Sequence, residues 1–323
     1  MSAGAAERLG MLCRWGHGDA EQGELCGRGD EGAARPARVR RITGPADALS
    51  GPLAAGRPGD HVLENDEIAV VVDQLGPGTG LAEGGGHVID AADARARRDE
   101  LGQIVARVGA PPRQALYSEL ATGVGEDGVA WIEVRGRDGA GGALSITTRY
   151  ALGPRDRALL ITTSLQNDGP SPVEGLDLGD VVHWGAAEQV APGDAPGSRG
   201  DHEQPHVAGV GAGVAYALAP ADGAPLRARS GAGFSDATFA RLAALPPGGR
   251  VAYQRVLAVA PRGDPLGVAT ELFFLGGGAP GGVALELVDA RGAPLPSIAG
   301  KATLTPIAEE GAAPAAGALP LWL

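Results

Sequence analysis

Val129-Ala-Trp-Ile-Glu-Val-Arg135, Ala143-Leu-Ser-Ile-Thr-Thr-Arg-Tyr150 and Ala158-Leu-Leu-Ile-Thr-Thr-Ser-Leu165 follow one another in the middle of the chain. Each run is rich in β-branched and aromatic residues, which fit a pleated, half-buried surface. Between them lie Gly136-Arg-Asp-Gly-Ala-Gly-Gly142 and Gly153-Pro-Arg-Asp156, where glycine, proline and aspartate supply turn geometry. Three strands joined by short turns predict an antiparallel ladder.

Working outward, Val62 and then Ile68, Val70 and Val72 flank Glu64-Asn-Asp-Glu67, which predicts two strands and a tight turn. Gly84-Gly-Gly86 leads into the apolar run His87-Val-Ile89. Between Ala94 and Val108, the apolar residues Leu101, Ile104, Val105 and Val108 recur at helical spacing and predict a helix, ended by Pro111 and Pro112. Downstream, strands are predicted over Val173 to Trp184, Val207 to Leu218, Thr238 to Leu245 and Val251 to Ala260. Asp264 followed by Pro265 reads as the N-cap and first position of a short helix reaching Phe274. The fold class expected is all-β, a large antiparallel β-sandwich with few short helices.

Residues 1–45 are rich in Gly, Ala, Arg and Glu without a period, and read as a poorly ordered leader. The sandwich occupies 46–275, and Gly-Gly-Gly-Ala-Pro-Gly-Gly at 276–282 is a linker. Residues 283–323 form a β unit too short to bury a core of its own, so it packs on the sandwich or opens a further module.

Composition narrows the classes of function. With 44% hydrophobic and 20% charged residues and a mean hydropathy of -0.01, the 323-residue chain can bury a core and reads as a soluble globular protein. The 54 glycines and 25 prolines show no collagen period and punctuate apolar runs. A net charge of -12, Lys301 as the sole lysine and only four each of Phe, Trp and Tyr argue against nucleic acid or an anionic membrane surface. No apolar run is long enough to span a bilayer, and Met1 to Ala20 lacks a signal-peptide pattern. Cys13 and Cys26 alone make neither a zinc site nor a disulfide framework, and His17 between them does not complete a ligand set.

Two segments carry candidate chemistry. His202-Glu-Gln-Pro-His206 matches the letters of a zinc-protease motif, which needs both imidazoles on one helical face. Pro205 and the glycine-rich flanks oppose that helix, so the segment reads first as a solvated loop. An irregular metal site using His202, Glu203 and His206 stays open, and otherwise no cofactor is expected. From Pro170 to Pro205, seven acids face one base, Arg199, which concentrates half of the -12 charge there. Asp180, His183 and Trp184, with Glu188 nearby, combine carboxylate, imidazole and a flat aromatic face, as a sugar site does. The competing expectation is that Asp180 satisfies turn amides while Trp184 fills the core. Calcium at the acidic loops is a further alternative, although no ligand loop of fixed spacing is present.

Several segments together carry a resemblance: Gly51 to Asp60, Leu63-Glu-Asn-Asp66 with Ile68 to Val72, Gly86 to Asp93, Gly179-Asp-Val-Val-His-Trp-Gly185 and Ala191-Pro-Gly193. They resemble the N-terminal β-sandwich of bacterial CehA/McbA-type PHP metallohydrolase precursors, and the sandwich is similar to the galactose-mutarotase-like supersandwich. The resemblance implies a carbohydrate ligand or a hydrolase domain as partner, and an exported or cell-envelope location. It also makes Val283 to Thr305 the first strands of a carboxypeptidase-regulatory-like module. The metallohydrolase ligands are not in this sequence, so the function expected is a non-catalytic module binding carbohydrate or a similar hydroxylated ligand, or a scaffold beside a hydrolase. An aldose-epimerase-like protein using His183 with Asp180 or Glu188, a metal-dependent hydrolase remnant and a structural interaction module are the alternatives.

Overall fold

The computed structural model describes residues 35–109, 113–139, 142–190, 200–231 and 233–276. Seventeen strands and one helix are found among them. The central ladder shows why. In β8 (Leu144–Leu152), Leu144, Ile146, Thr148, Tyr150 and Leu152 are buried, while the residues between them are half-buried. That alternation is the period of a strand with one face on the core. β7 (Ala130–Asp138), β8 and β9 (Ala158–Asn167) pair in sequence order, as the turn-separated runs predict.

All pairings between the named strands are antiparallel and resolve into two sheets. The first runs β1 (Arg38–Arg41), β2 (His61–Glu64), β3 (Ile68–Val72), β4 (Val88–Asp93), β5 (Gln103–Val108), β10 (Val173–His183), β16 (Phe234–Leu245), β15 (Leu226–Gly231) and β12 (Gly200–Gln204). The second runs β6 (Arg113–Val124), β7, β8, β9, β17 (Arg250–Ala260), β14 (Ala215–Pro220), β13 (Val207–Val210) and β11 (Glu188–Val190). The start of β6 still pairs with β5, so the chain crosses from one sheet to the other there.

The sheets meet face to face over one core that joins Ile104, Leu176, Leu178 and Val182 of the first to Ile132, Ile146, Ile161 and Leu257 of the second. Three tyrosines of the second sheet reach across to backbone of the first. Tyr150 donates to the Gly86 carbonyl at 2.9 Å, Tyr216 to Ala91 at 2.8 Å and Tyr253 to Gly179 at 3.1 Å. Each hydroxyl thereby finds the partner that burial demands.

Helix α1 (Pro265–Leu275) covers the outer face of the second sheet. Val268, Leu272 and Leu275 lie on Ala217, Ala219, Ala258 and Ala260, whose small side chains let the helix approach closely. Asp264 caps it as predicted, its Oδ1 accepting the Gly267 N–H at 2.7 Å.

Four expectations are corrected. The helix predicted over 94–108 is instead a turn followed by strand β5. β5 is buried on both faces, which hides its period of two and leaves an accidental helical spacing. β1 lies inside the stretch read as leader. The predicted strand over 207–218 is a hairpin, β13 and β14, turning at 211–214. The motif around His202 is not a loop, because Gly200–Gln204 forms strand β12 against β15. The unit at 283–323 lies outside the described residues.

Candidate functional site

Along β10 the even-numbered residues Leu176, Leu178, Asp180 and Val182, together with the following Trp184, all point into the core. Trp184 is 0% exposed, and its Nε1 donates to Ser235 Oγ at 2.9 Å. It offers no face to a sugar. Asp180, also 0% exposed, receives two bonds of 2.6 Å from Arg255. Arg255 continues to Thr163 at 2.6 Å, Thr163 to Thr148 at 2.9 Å and Thr148 to the Tyr117 hydroxyl at 2.6 Å. Burial pushes the Asp180 carboxyl up while the Arg255 charge pulls it back. Burial also works against the charge of Arg255, but Asp180 outweighs it and holds the guanidinium above its ordinary value. The pair is an internal cross-tie between sheets, and the expectation of a sugar site built on Asp180 and Trp184 is corrected accordingly.

His183 points the other way, onto the outer face of the first sheet. Register fixes its neighbours, since residues directly opposite in a ladder share a face. His183 lies opposite Gln103 and Phe234, Val181 opposite Val105 and Asp236, and Gly179 opposite Arg107 and Thr238. On β15, Arg229 lies opposite Asp236 and Arg227 opposite Thr238, and Glu203 of β12 lies opposite Arg227. One face therefore presents His183, Phe234, Asp236, Arg107, Thr238, Arg229, Arg227 and Glu203.

Glycines shape this face. A methyl group on Gly102 would collide with the His183 imidazole, and one on Gly231 with the Phe234 ring, so both rings lie against bare backbone. Phe234 is 38% exposed, one of few large apolar side chains left in solvent. With no side chain at Gly179, buried Arg107 reaches across the strand to bond Thr238 and pair with Asp236. Arg241 clasps Asp177 in the next row with bonds of 2.7 and 3.0 Å, which hold that carboxyl below its ordinary value.

A loop walls one end. Gln103 accepts the Leu81 N–H at 3.0 Å and donates to Thr79 O at 2.7 Å. Gln114, opposite Arg107 on β6 through the β5 pairing, donates to Leu81 O at 2.9 Å and accepts the Glu83 N–H at 2.7 Å. Residues 79–83 are thus pinned beside the row containing His183, with Leu81 59% exposed.

Of the other predicted residues, Glu203 alone shares this face. Glu188 lies exposed on β11 in the second sheet, opposite Val210. His202 and Glu203 are successive residues of a strand and so point to opposite faces, and His206 follows Pro205 beyond its end. Burial lowers the His206 imidazole to about 4. Among the described residues no group of three or more His, Cys, Asp and Glu side chains is placed to hold a metal ion. None of their helices is long and apolar enough to cross a membrane. Sequence reasoning missed Phe234, Asp236 and Arg107. The Gly102/His183 coupling depends on pairing between strands distant in sequence, whereas Gly231 and Phe234 meet across a local hairpin.

No family model matches the chain, and no curated protein matches it. Among solved structures it is similar to a TPR-domain containing protein from Parabacteroides distasonis, at 12% identity and a TM-score of 0.45, covering 71% of this chain and 54% of that one. It is similar to the alpha-galactosidase from Lactobacillus brevis, at 10% identity and a TM-score of 0.46, covering 66% and 41%. A galactose mutarotase-like protein from Lactobacillus casei superposes at 9% identity and a TM-score of 0.40, covering 62% of this chain and 100% of that one. The chain thus spans about half of the first protein and less than half of the second. Likenesses at this level carry no activity across.

Proposed function

We propose that this chain is a non-catalytic binding module for carbohydrate or a similarly hydroxylated ligand, acting through the outer face of the first sheet. The observation that carries the proposal is the solvent-exposed Phe234 ring lying against Gly231, opposite His183 and one row from Asp236. A flat aromatic surface matches the C–H face of a pyranose, and a surrounding mixture of donors and acceptors matches its hydroxyls. Arg229, Asp236 and His183 supply that mixture.

The binding role is favoured over ring-opening catalysis on geometric grounds. Mutarotation needs an acid and a base on opposite sides of the sugar. Asp180 is enclosed with Arg255, and Glu188 belongs to the other sheet, so neither stands beside His183. A module of this kind would hold a polysaccharide or glycoside for a neighbouring hydrolase domain, the partner implied by the resemblance to the CehA/McbA-type precursors. An array of immobilised glycans, followed by calorimetric titration of the positives, tests the reading. Saturable binding to a defined glycan class is expected. An empty array together with absent heats for the common monosaccharides and disaccharides would sink it.

A further inference from the structure

A second concavity lies away from that face, where the two sheets part at one edge. β14 ends at Pro220, opposite Arg255, and beyond the Ala221 N–H bond to Gln254 O the start of β17 has no paired strand on that side among the described residues. A cleft of about 270 Å³ opens there, lined by Pro220, Asp222, Phe239, Ala240, Tyr253 and Gln254 among others. A bulge aims its aromatic wall. Between the pairs Leu178–Ala240 and Gly179–Thr238 the register skips Phe239, and the displaced ring stacks on Tyr253 with centroids 5.9 Å apart and planes at 17°. Bulges of this kind commonly re-aim a side chain toward a site.

Tyr253 spends its hydroxyl proton on Gly179 O at 3.1 Å. Gln254, on the opposite face of β17 from Tyr253, gives one of its two Nε2 protons to Thr162 Oγ1 at 3.0 Å. Asp222 is held at the rim by accepting the Ala224 N–H through one oxygen at 3.0 Å, and its second oxygen remains available. Among the described residues, no lysine, arginine or histidine lines the cleft. Arg255, whose guanidinium lies 4.7 Å from the Tyr253 centroid, is neutralised behind that ring by Asp180. The lining side chains therefore offer one negative charge at the rim and the half-buried π-face of Phe239, with no cationic group among them.

We propose that this cleft binds an organic cation, a primary ammonium or guanidinium carried on a short aliphatic stem. Such a group brings only donors, places its charge over an aromatic face and beside a carboxylate, and buries its methylenes on Pro220, Ala224 and Ala252. A neutral alcohol of the same length lacks the charge, and an anion meets Asp222. The proposal does not depend on the carbohydrate reading, since no lining residue belongs to the face around Phe234.

Calorimetric or NMR titration of the full chain with n-butylammonium and n-butylguanidinium, against n-butanol, tests it. The cations are expected to bind in the millimolar range or tighter, at least about tenfold better than the alcohol, and to weaken with added salt. Asp222→Asn, an exposed rim change, is expected to cost about fivefold or more, and Phe239→Leu about threefold. Phe239→Tyr keeps the π-face and is expected to keep binding, which separates recognition from any loss of folding in Phe239→Leu. Equal affinity for n-butanol, an unchanged affinity in Asp222→Asn, or no cation-specific signal at tens of millimolar would each overturn the proposal.

Discussion

Asp180 and Arg255 show how much one strand's alternation decides. A charge pair sealed between sheets pays a large desolvation cost that its bonds offset only while both partners remain. Asp180→Asn or Arg255→Met alone is therefore expected to destabilise the fold by about 3–5 kcal/mol. Replacing both with apolar residues of similar volume should recover most of that loss, and chemical denaturation of the three variants measures it. The sequence carried part of this information. Alternation through Leu176, Leu178, Val182 and Trp184 assigns Asp180 to the apolar face and His183 to the opposite one. What it could not reveal is Arg255 across the core, because that partner lies 75 residues away on the other sheet. Phe234 was hidden for a different reason, since its exposure follows from the register of a hairpin that sets it against Gly231, three residues away, rather than from apolar periodicity.

At the level of elements, the hairpins were legible wherever one face is dry and the other wet. β7, β8 and β9 kept the alternation and were recognised, whereas β5, covered on both sides, looked helical. Loop 79–83 explains part of that covering, because Gln103 and Gln114 bind it across the outer face. Helix α1 was readable from its ends, since Asp264 and Pro265 are local signals that need no partner strand. Its stability also rests on that local signal. Asp264→Ala removes the acceptor of the Gly267 N–H and should cost about 1 kcal/mol. Faster hydrogen exchange in 265–275, with the sandwich unchanged, is the expected signature.

Over the whole molecule, buried acids link stability to pH. Burial raises Asp73 and Asp90 to about 6, Asp99 to about 8 and Glu271 to about 7, with hydrogen bonds only partly restoring them. Asp99 Oδ2 is buried without a hydrogen-bond partner, which suits a protonated carboxyl. The folded state therefore keeps protons that the unfolded chain releases near its ordinary carboxyl values, and stability falls as pH rises through the window between them. His87 and His206, lowered to about 4 by burial, act in the opposite sense only below their ordinary value of 6.5. From pH 6.5 upward the acids act alone. Thermal midpoints should decline from pH 6.5 to about 8.5, and Asp99→Asn should remove about 1–2 kcal/mol of that decline. A profile flat across that range in both proteins would contradict the assignment.

The central claim separates two neighbouring aromatics: Phe234 meets the ligand, and Trp184 holds the core. Calorimetric titration of the bound glycan with wild type, Phe234→Ala and Trp184→Phe, each with its melting curve, tests this most directly. The account predicts that Phe234→Ala loses about tenfold or more in affinity with little change in melting temperature. It predicts that Trp184→Phe lowers the melting temperature while the fraction still folded binds as wild type does. Unchanged affinity in Phe234→Ala, with lost affinity in a fully folded Trp184→Phe, would contradict it.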